Sequence, residues 1–338
     1  MKRYPSSRRR PGSSNALKAL FWVPACAGMT LMAASPAWSQ GYPAKPVRIV
    51  VGFSAGSTTD LIGRVLATKL GEGIGQLVVV DNRPGAGANI AAEIVSKSPP
   101  DGYTVLLANA GLATGATAYV KLNFNALRDF APVAQVSATP HILVVHPSLP
   151  AKHVKELIAF MKPRPGQLNF SSTGHGNSDH LAAELFMYMT GLKMVHITYK
   201  GGPQAIGDVA TGEVAMYFAG LPVSIPFVKN GRVRALGVTG AKRARVLPDV
   251  PTIAEAGVAG YEHILWGMLV VPSATPREVI ARLNDGVVKA LNAPDIRERY
   301  AGMGVEPAPS TPEQAAGYLR SETEKYAKVV KAIGLRLE

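Results

Sequence analysis

The sequence predicts an α/β protein with two lobes, on the evidence of three features. Short β-branched runs alternate with helical patterns along most of the chain, an order typical of βα units with mostly parallel or mixed sheets. The chain has 338 residues, more than one average domain contains. Two apolar strands bordered by prolines divide the chain, as expected where it crosses between lobes.

The predicted elements follow each other regularly. Nine runs have the composition of strands: VRIVV, LVVV, YTVLLA, HILVVH, LNFSS, MVHITY, VAMYFA, VRALGV and WGMLVV. Apolar residues at helical spacing predict helices at 60–70, 88–96, 154–161, 178–189, 203–211, 276–291 and 312–333. We see no internal repeat at a fixed period.

Two segments are the predicted crossing points between lobes. One is ATPHILVVHPSLP, and the other is YEHILWGMLVVPSATP, which ends in Pro272 and Pro276. If both cross, residues 142–262 form one lobe, inserted between the two parts of the other lobe at 40–141 and 263–338. Two crossing strands form a hinge on which lobes can close over a ligand.

The first 39 residues have the pattern of a secretory signal peptide. A basic start and an apolar stretch lead to Ala37-Trp38-Ser39, a small-x-small cleavage site. We therefore expect export, with a mature chain that starts near Gln40. A retained membrane helix and a lipid anchor on Cys26 are the alternatives, and Pro24 fits the lipid anchor poorly.

Charge and cysteine content exclude several function classes. Six Lys and Arg residues of the signal segment account for six of the +13 formal charges, which leaves +7 for the mature chain. Basic residues interleaved with aromatic ones, as a nucleic-acid groove needs, are not apparent, so we expect no nucleic-acid partner. Cys26 is the only cysteine, and the mature chain therefore has neither a disulfide nor a thiol nucleophile.

Small residues separate the first predicted strand from the first helix. The loop GFSAGSTT leaves backbone N–H groups uncovered, and the positive end of the helix dipole points to the same place. This pattern predicts an anion site. We expect Asp60 to cap the helix and to pair with Arg64 at i+4. A tight turn with caps and no ligand is the alternative.

A second loop of this kind follows the strand LNFSS. Its hydroxyl, amide and backbone donors belong to Ser172, Thr173, Gly174, Gly176, Asn177 and Ser178. Each lobe thus has a helix N-terminus that can bind an anion, and this pair predicts a carboxylate held across a cleft. A third helix N-terminus is predicted at Pro203, which follows Gly201 and Gly202. Lys200 beside it is either a counter-ion for the ligand or a solvent-exposed lysine. The segment DNRPGAGANIAAE lacks the G-x-G-x-x-G spacing and predicts only a turn.

Enzymatic and metal sites find little support in the sequence. Ser178, Asp179 and His180 have the residue types of a hydrolytic triad, but neighbours on one helix point in different directions and the G-x-S-x-G motif is absent. The seven histidines, which include His175 at i−5 from His180, show no metal-binding spacing. We expect no catalytic residue, no metal and no cofactor.

Several motifs in one order resemble the periplasmic solute receptors of tripartite tricarboxylate transporters, the Bug or TctC family. They include KPVRIVVGFSAGSTTD, VVDNRPGAGANIAAE, STGHGNSDHLAAELF and ITYKGGPQAIGDVATGEVAMYF. The resemblance implies a bilobal type II periplasmic-binding-protein fold with a two-strand hinge. It also implies that a di-, tricarboxylate or aromatic acid binds between the lobes, and that a membrane permease, or alternatively a sensor protein, receives the closed form. We expect a monomer.

The resemblance also assigns ligand-binding residues. The first loop corresponds to Phe53, Ser54, Gly56, Ser57, Thr58 and Asp60, and the second to Ser172, Thr173, Gly174, Gly176 and Ser178. To these we add Gly202 and, for the distal pocket, Asn109 and Tyr217, with Tyr103 and Thr114 as weaker candidates. Gly52 stands where the family usually has proline, and Ser57 where it usually has glycine. Ala219-Gly220 replaces an acid frequent in relatives, which argues against amino-acid ligands.

Overall fold

The computed structural model describes residues 41–119, 121–332 and 334–335. The predicted signal peptide at 1–39 lies outside these residues. The strands are β1 Val47–Val51, β2 Val78–Asn82, β3 Thr104–Ala108, β4 Phe130–Val145, β5 Asn169–Ser172, β6 Val195–Thr198, β7 Met216–Gly220, β8 Arg234–Val238, β9 Ile264–Pro272 and β10 Glu306–Pro307. The helices are α1 Thr58–Ile74, α2 Asn89–Ser96, α3 Ala110–Ala118, α4 Val154–Met161, α5 Ser178–Thr190, α6 Gly202–Thr211, α7 Leu221–Lys229, α8 Arg277–Asn292, α9 Pro294–Gly302 and α10 Pro312–Ala332.

All nine predicted strands and all seven predicted helices are present, and β10 and three helices are additional. Two of the additional helices, α3 and α7, have weak local signals. α3 contains Gly111 and Gly115, and α7 contains Pro222 and Pro226, residues that disfavour a helix in isolation. Both helices start directly at the end of a strand and pack against the sheet. Tertiary contacts therefore stabilise helices that local propensity does not favour.

The start of α1 differs from its prediction. The residue that caps α1 is Ser57, whose hydroxyl accepts a hydrogen bond from the backbone N–H of Asp60 at 3.3 Å. The helix begins at Thr58, so the prediction that Asp60 is the capping residue was wrong. A serine hydroxyl at this position satisfies one of the backbone donors that the first turn leaves unpaired.

One strand links two sets of parallel strands. β1 pairs in parallel with β2 and β3, and β5 pairs in parallel with β6 and β7. Residues 130–140 of β4 pair with β9, which is antiparallel to β3, whereas residues 141–145 pair with β7 and β8. The point where β4 changes partners lies within the predicted crossing segment ATPHILVVHPSLP. The exact lobe boundaries stay a prediction.

Helices cover both faces of each parallel set. α1 and α8 pack on one face of the β1 set, and α2, α3 and α10 pack on the other. α4 and α5 cover one face of the β5 set, and α6 and α7 cover the other. None of the described helices is both long and apolar enough to cross a bilayer.

Strand direction brings several helix starts to one place. In both sets the carboxyl end of a parallel strand leads through a short loop into a helix, as β1 leads to α1 and β5 to α5. Ligands of α/β proteins bind at this edge of the sheet. The fold therefore identifies the region in which a site is expected.

Gly52, at the end of β1, provides a test of the packing there. A Cβ atom on Gly52 would lie 2.3 Å from the Cβ of Ala88, and Ala88 has a left-handed backbone conformation with φ 74°. We expect Gly52→Ala to lower the free energy of unfolding by about 1–3 kcal/mol because the core cannot accept the added methyl group. Urea unfolding measures this change.

The matched control is Gly207→Ala in the middle of α6. No atom lies within 4 Å of a Cβ at Gly207, so alanine should raise the free energy of unfolding by up to about 1 kcal/mol through its better helix propensity. Equal effects of the two substitutions would contradict the packing described here.

Candidate functional site

Five helix N-termini converge on one cavity. They belong to α1, α3, α5, α6 and α7, and each contributes its first residues or its N-cap residue to the wall. The lining residues are Phe53, Ser57, Thr58, Thr59, Asn109, His141, Thr173, Ser178, Asp179, Gly202, Tyr217, Gly220 and Leu265. Because the first turn of a helix has unpaired N–H groups and the positive end of the dipole, this cavity favours an anion.

The two sides of the cavity lie close together. The cavity measures about 30 Å³, which is space for about one or two water molecules. The backbone N–H of Ser54 donates to the carbonyl of Lys200 at 3.0 Å, and a Cβ on Gly201 would lie 1.9 Å from the Ser54 hydroxyl. A Cβ on Gly220 would lie 2.2 Å from Oγ1 of Thr58. The sides must therefore separate before a larger solute can enter.

Asp60 holds the loop before α1 in its shape. Its carboxylate accepts hydrogen bonds from the Gly56 N–H at 2.8 Å, from Nε of Arg64 at 2.9 Å and from Nδ2 of Asn82 at 2.8 Å. Burial acts to raise the pKa of Asp60, but these hydrogen bonds outweigh it and lower the pKa below its usual value. The predicted pair between Asp60 and Arg64 is confirmed.

Glycine and serine suit their positions in this loop. Gly56 has φ 77°, a left-handed conformation that glycine adopts at little cost. Ser57 has an extended conformation with φ −67° and ψ 160°, which any residue can adopt. The serine at this position therefore costs no backbone strain and adds the hydroxyl that caps α1.

Asp179 organises the loop before α5. It is buried and accepts hydrogen bonds from the Thr173 N–H at 2.7 Å, the Tyr217 hydroxyl at 3.1 Å and the His180 N–H at 2.9 Å. Burial raises the pKa of Asp179 above its ordinary value, although the hydrogen bonds act in the opposite direction. Asp179 thus fixes two lining residues, Thr173 and Tyr217.

Ser178, Asp179 and His180 form no catalytic relay with one another. The Ser178 hydroxyl lies 2.9 Å from Nε2 of His141 and 2.9 Å from Nε2 of His263. Nδ1 of His180 accepts the Gly176 N–H at 3.2 Å. Each of the three side chains has its own partners, as expected for neighbours on one helix.

The structure brings eight of the fourteen predicted ligand-binding residues into the cavity wall. They are Phe53, Ser57, Thr58, Asn109, Thr173, Ser178, Gly202 and Tyr217. The other six do not line it and contribute through the shape and contacts of the loops: Ser54, Gly56, Asp60, Ser172, Gly174 and Gly176. As ligand contacts, all fourteen remain predictions.

Five lining residues were not predicted as binding residues: Thr59, His141, Asp179, Gly220 and Leu265. His141 and Leu265 lie on the crossing strands β4 and β9, and the prolines around these strands were the available signal.

The loop at 84–88 was predicted to be only a turn, and the prediction missed its contact with the other part of the protein. A Cβ on Gly87 would lie 2.7 Å from the carbonyl oxygen of His175, so the loop contacts the α5 loop directly.

A two-lobed α/β fold with a cavity of helix N-termini between its parts is an arrangement in which α/β proteins bind small ligands, as solute-binding receptors do. Residues 62–335 match the tripartite tricarboxylate transporter family receptor, TctC. The chain belongs to this family, whose members, the Bug proteins among them, are solute-binding proteins and not enzymes.

Relatives extend over nearly the whole chain. The protein BugT of Bordetella pertussis (strain Tohama I) is 36% identical over 307 residues, which are 90% of this chain and 94% of BugT. A protein of R. palustris solved with adipate has a TM-score of 0.84 and 36% identity and covers 87% of this chain and 99% of its own. MatC from Rhodopseudomonas palustris with bound malate has a TM-score of 0.80 and 27% identity over 86% of this chain and 100% of MatC.

The charge of Asp60 should support stability in a pH-dependent way. We expect Asp60→Asn to lower the free energy of unfolding by about 1–3 kcal/mol at neutral pH, because charged hydrogen bonds are lost. Since the pKa of Asp60 is lowered on folding, its contribution is complete above the unfolded pKa of about 3.9 and is lost as the pH falls through the folded pKa.

Urea unfolding of both proteins between neutral pH and about pH 3 measures this difference. The control is Asp285→Asn, which removes an exposed carboxylate paired with Lys289 and should change stability by less than about 0.5 kcal/mol. A difference between wild type and Asp60→Asn that does not shrink with acidification would contradict the role given to the charge.

Proposed function

We propose that the protein is exported to the periplasm, captures a small organic acid in the cavity and delivers it as a monomer to a tripartite membrane transporter. The observation that carries this proposal is the convergence of five helix N-termini on one cavity. The described lining contains no Lys or Arg. A carboxylate would therefore be held by neutral donors and helix dipoles.

The first turn of α1 supplies the best donors. The N–H groups of Thr58 and Thr59 have no acceptor within their own helix, and the hydroxyls of both threonines are close by. Ser57 adds a hydroxyl whose oxygen accepts the Asp60 N–H and whose hydrogen can turn to a ligand. The hydroxyl of Ser178 is held by His141 and His263 and adds no further donor. Each helix N-terminus contributes up to about 2 kcal/mol to an anion in a partly buried geometry. Several N-termini that act together can balance one carboxylate.

An aliphatic dicarboxylate of about the size of malate or adipate is the ligand class we favour. One relative was solved with adipate and another with malate. Phe53 and Leu265 give the cavity apolar surface, which suits a short hydrocarbon chain between two carboxylates. Tricarboxylates and aromatic acids would need a wider separation of the two sides.

Amino acids fit this cavity less well. The sequence indicated no acid at Ala219-Gly220, but the structure shows one elsewhere in the wall, Asp179. This carboxylate already accepts three hydrogen bonds, and burial raises its pKa. It therefore offers little to a ligand ammonium group. Asp179 serves the protein as an internal acceptor.

Asn109→Asp tests the charge preference of the cavity. Asn109 caps α3 through the Gly111 N–H at 3.0 Å, and aspartate caps a helix equally well. The substitution thus keeps size and cap but adds one negative charge to the wall. We expect affinity for malate or adipate to fall at least about tenfold, because like charges repel at short range. Isothermal titration calorimetry measures the change.

The matched control is His153→Asp, which adds the same charge at the exposed N-cap of α4, outside the described cavity. It should leave affinity unchanged. Equal affinity of wild type and folded Asn109→Asp for a bound acid would show that the carboxylate lies elsewhere.

Uptake by cells tests delivery. Cells without this protein should lose uptake of the acid, and Asn109→Asp should restore less uptake than wild type. Full uptake without the protein would refute delivery.

A further inference from the structure

Three histidines far apart in the sequence meet beside α5. His175 lies in the loop before α5, His180 in its first turn and His196 in β6. Each ring offers one nitrogen to the cluster, and these three nitrogens all lie within 4.8 Å of one another. We propose that His175, His180 and His196, with Glu184, form a binding site for a divalent transition-metal cation such as Zn²⁺. The sequence spacing gave no sign of it, because His196 joins the other two only through the pairing of β6 with β5.

His196 has the hydrogen bonding of a metal ligand. Its Nε2 is hydrogen-bonded to the Ser172 hydroxyl, whereas its Nδ1 is buried and no described residue gives it a partner. If Nε2 carries the proton and donates it to Ser172, Nδ1 presents an unused lone pair. Metal-bound histidines usually donate their second N–H in this way.

His180 and Glu184 are spaced as two ligands of one ion. They lie at i and i+4, on the same face of α5, and Nε2 of His180 is 3.4 Å from Oε1 of Glu184. This distance is long for a hydrogen bond. Two ligand atoms bound to a tetrahedral Zn²⁺ at about 2.0–2.1 Å lie roughly 3.3 Å apart, so the separation of Nε2 and Oε1 is that of two ligands.

His175 is the most exposed of the proposed ligands. Its position gives a cation access from solvent and lets the ring approach the other two. The rings of His180 and His196 are stacked, with centroids 4.2 Å apart and planes at 29°, so binding also requires one of these rings to turn until both lone pairs point to one ion. A metal binds the unprotonated nitrogen of a neutral imidazole. Three imidazoles and a carboxylate suit Zn²⁺ and its neighbours better than Ca²⁺ or Mg²⁺.

Cation binding would act on the loop before α5. Ligation through Nε2 places the proton of His180 on Nδ1, which now accepts the Gly176 N–H. That N–H has to turn away, and Gly176, with φ 74°, has the backbone freedom of glycine. The position of the loop and the occupancy of the cation site are therefore linked.

Zinc titration of tag-free protein against a chromophoric chelator tests the site. We expect one equivalent of Zn²⁺ per chain, and a loss of affinity of more than about 100-fold in His175→Ala, whose exposed position should leave folding intact. Glu184→Gln, which keeps the size of the side chain, should weaken binding by at least about tenfold. The control is His153→Ala, an exposed histidine outside the cluster, which should bind as wild type does.

Nitrogen-15 NMR of the imidazoles gives a second measurement. On addition of Zn²⁺, the proton of His180 should move from Nε2 to Nδ1. The ¹⁵N chemical shift of Nδ1 of His196 should also change. The proposal is wrong if wild type takes up no Zn²⁺ at stoichiometric concentration, if His175→Ala binds as tightly as His153→Ala, or if His180 and His196 show no change in the saturated protein.

Discussion

The hydroxyl of Ser178 connects the first turn of α5 to both strands that join the two parts of the protein. His141 lies on β4 and His263 directly precedes β9, and Nε2 of each is 2.9 Å from this hydroxyl. A hydroxyl has one hydrogen, so it donates to one ring and accepts from the other. Burial lowers the pKa of His141 to about 4 and the pKa of His263 well below its usual value, which keeps both rings neutral. This contact ties the first turn of α5 to β4 and to the start of β9 at one wall of the cavity.

Glycines allow the opposing loops to come into contact. Gly87 lies against the carbonyl of His175, and a Cβ on Gly174 would lie 2.9 Å from the Cα of Gly87. Gly201 lies against Ser54, and Gly220 lies against Thr58. Side chains at these positions would keep the helix N-termini apart. The same close approach leaves a cavity of only about 30 Å³. Under the proposed function, the loops would separate and close again around each solute, with β4 and β9 as the hinge strands.

The described part of the cavity wall contains no Lys or Arg, which suits the release of a solute in the proposed function. Backbone N–H groups at helix starts are fixed by the helices, so they lose little entropy when a ligand arrives and need no charged side chain to be desolvated. The acids nearest the site are already paired: Asp60 with Arg64, Gly56 and Asn82, and Asp179 with Thr173 and Tyr217. They set the shape of the two loops, and their hydrogen bonds leave the helix dipoles as the main field in the cavity.

The sequence by itself determined the α/β class, all nine main strands and the two loops at the starts of α1 and α5. Strand and helix periodicity and small residues at helix starts are local properties, and they can be recognised without any knowledge of the fold. The helices α3 and α7 were missed because glycine and proline hide them, and only packing on the sheet makes them helical. Tertiary structure alone placed His141, Asp179 and Leu265 in the cavity wall and His196 beside His180. Contacts between residues so far apart depend on strand order and register, which no local pattern specifies.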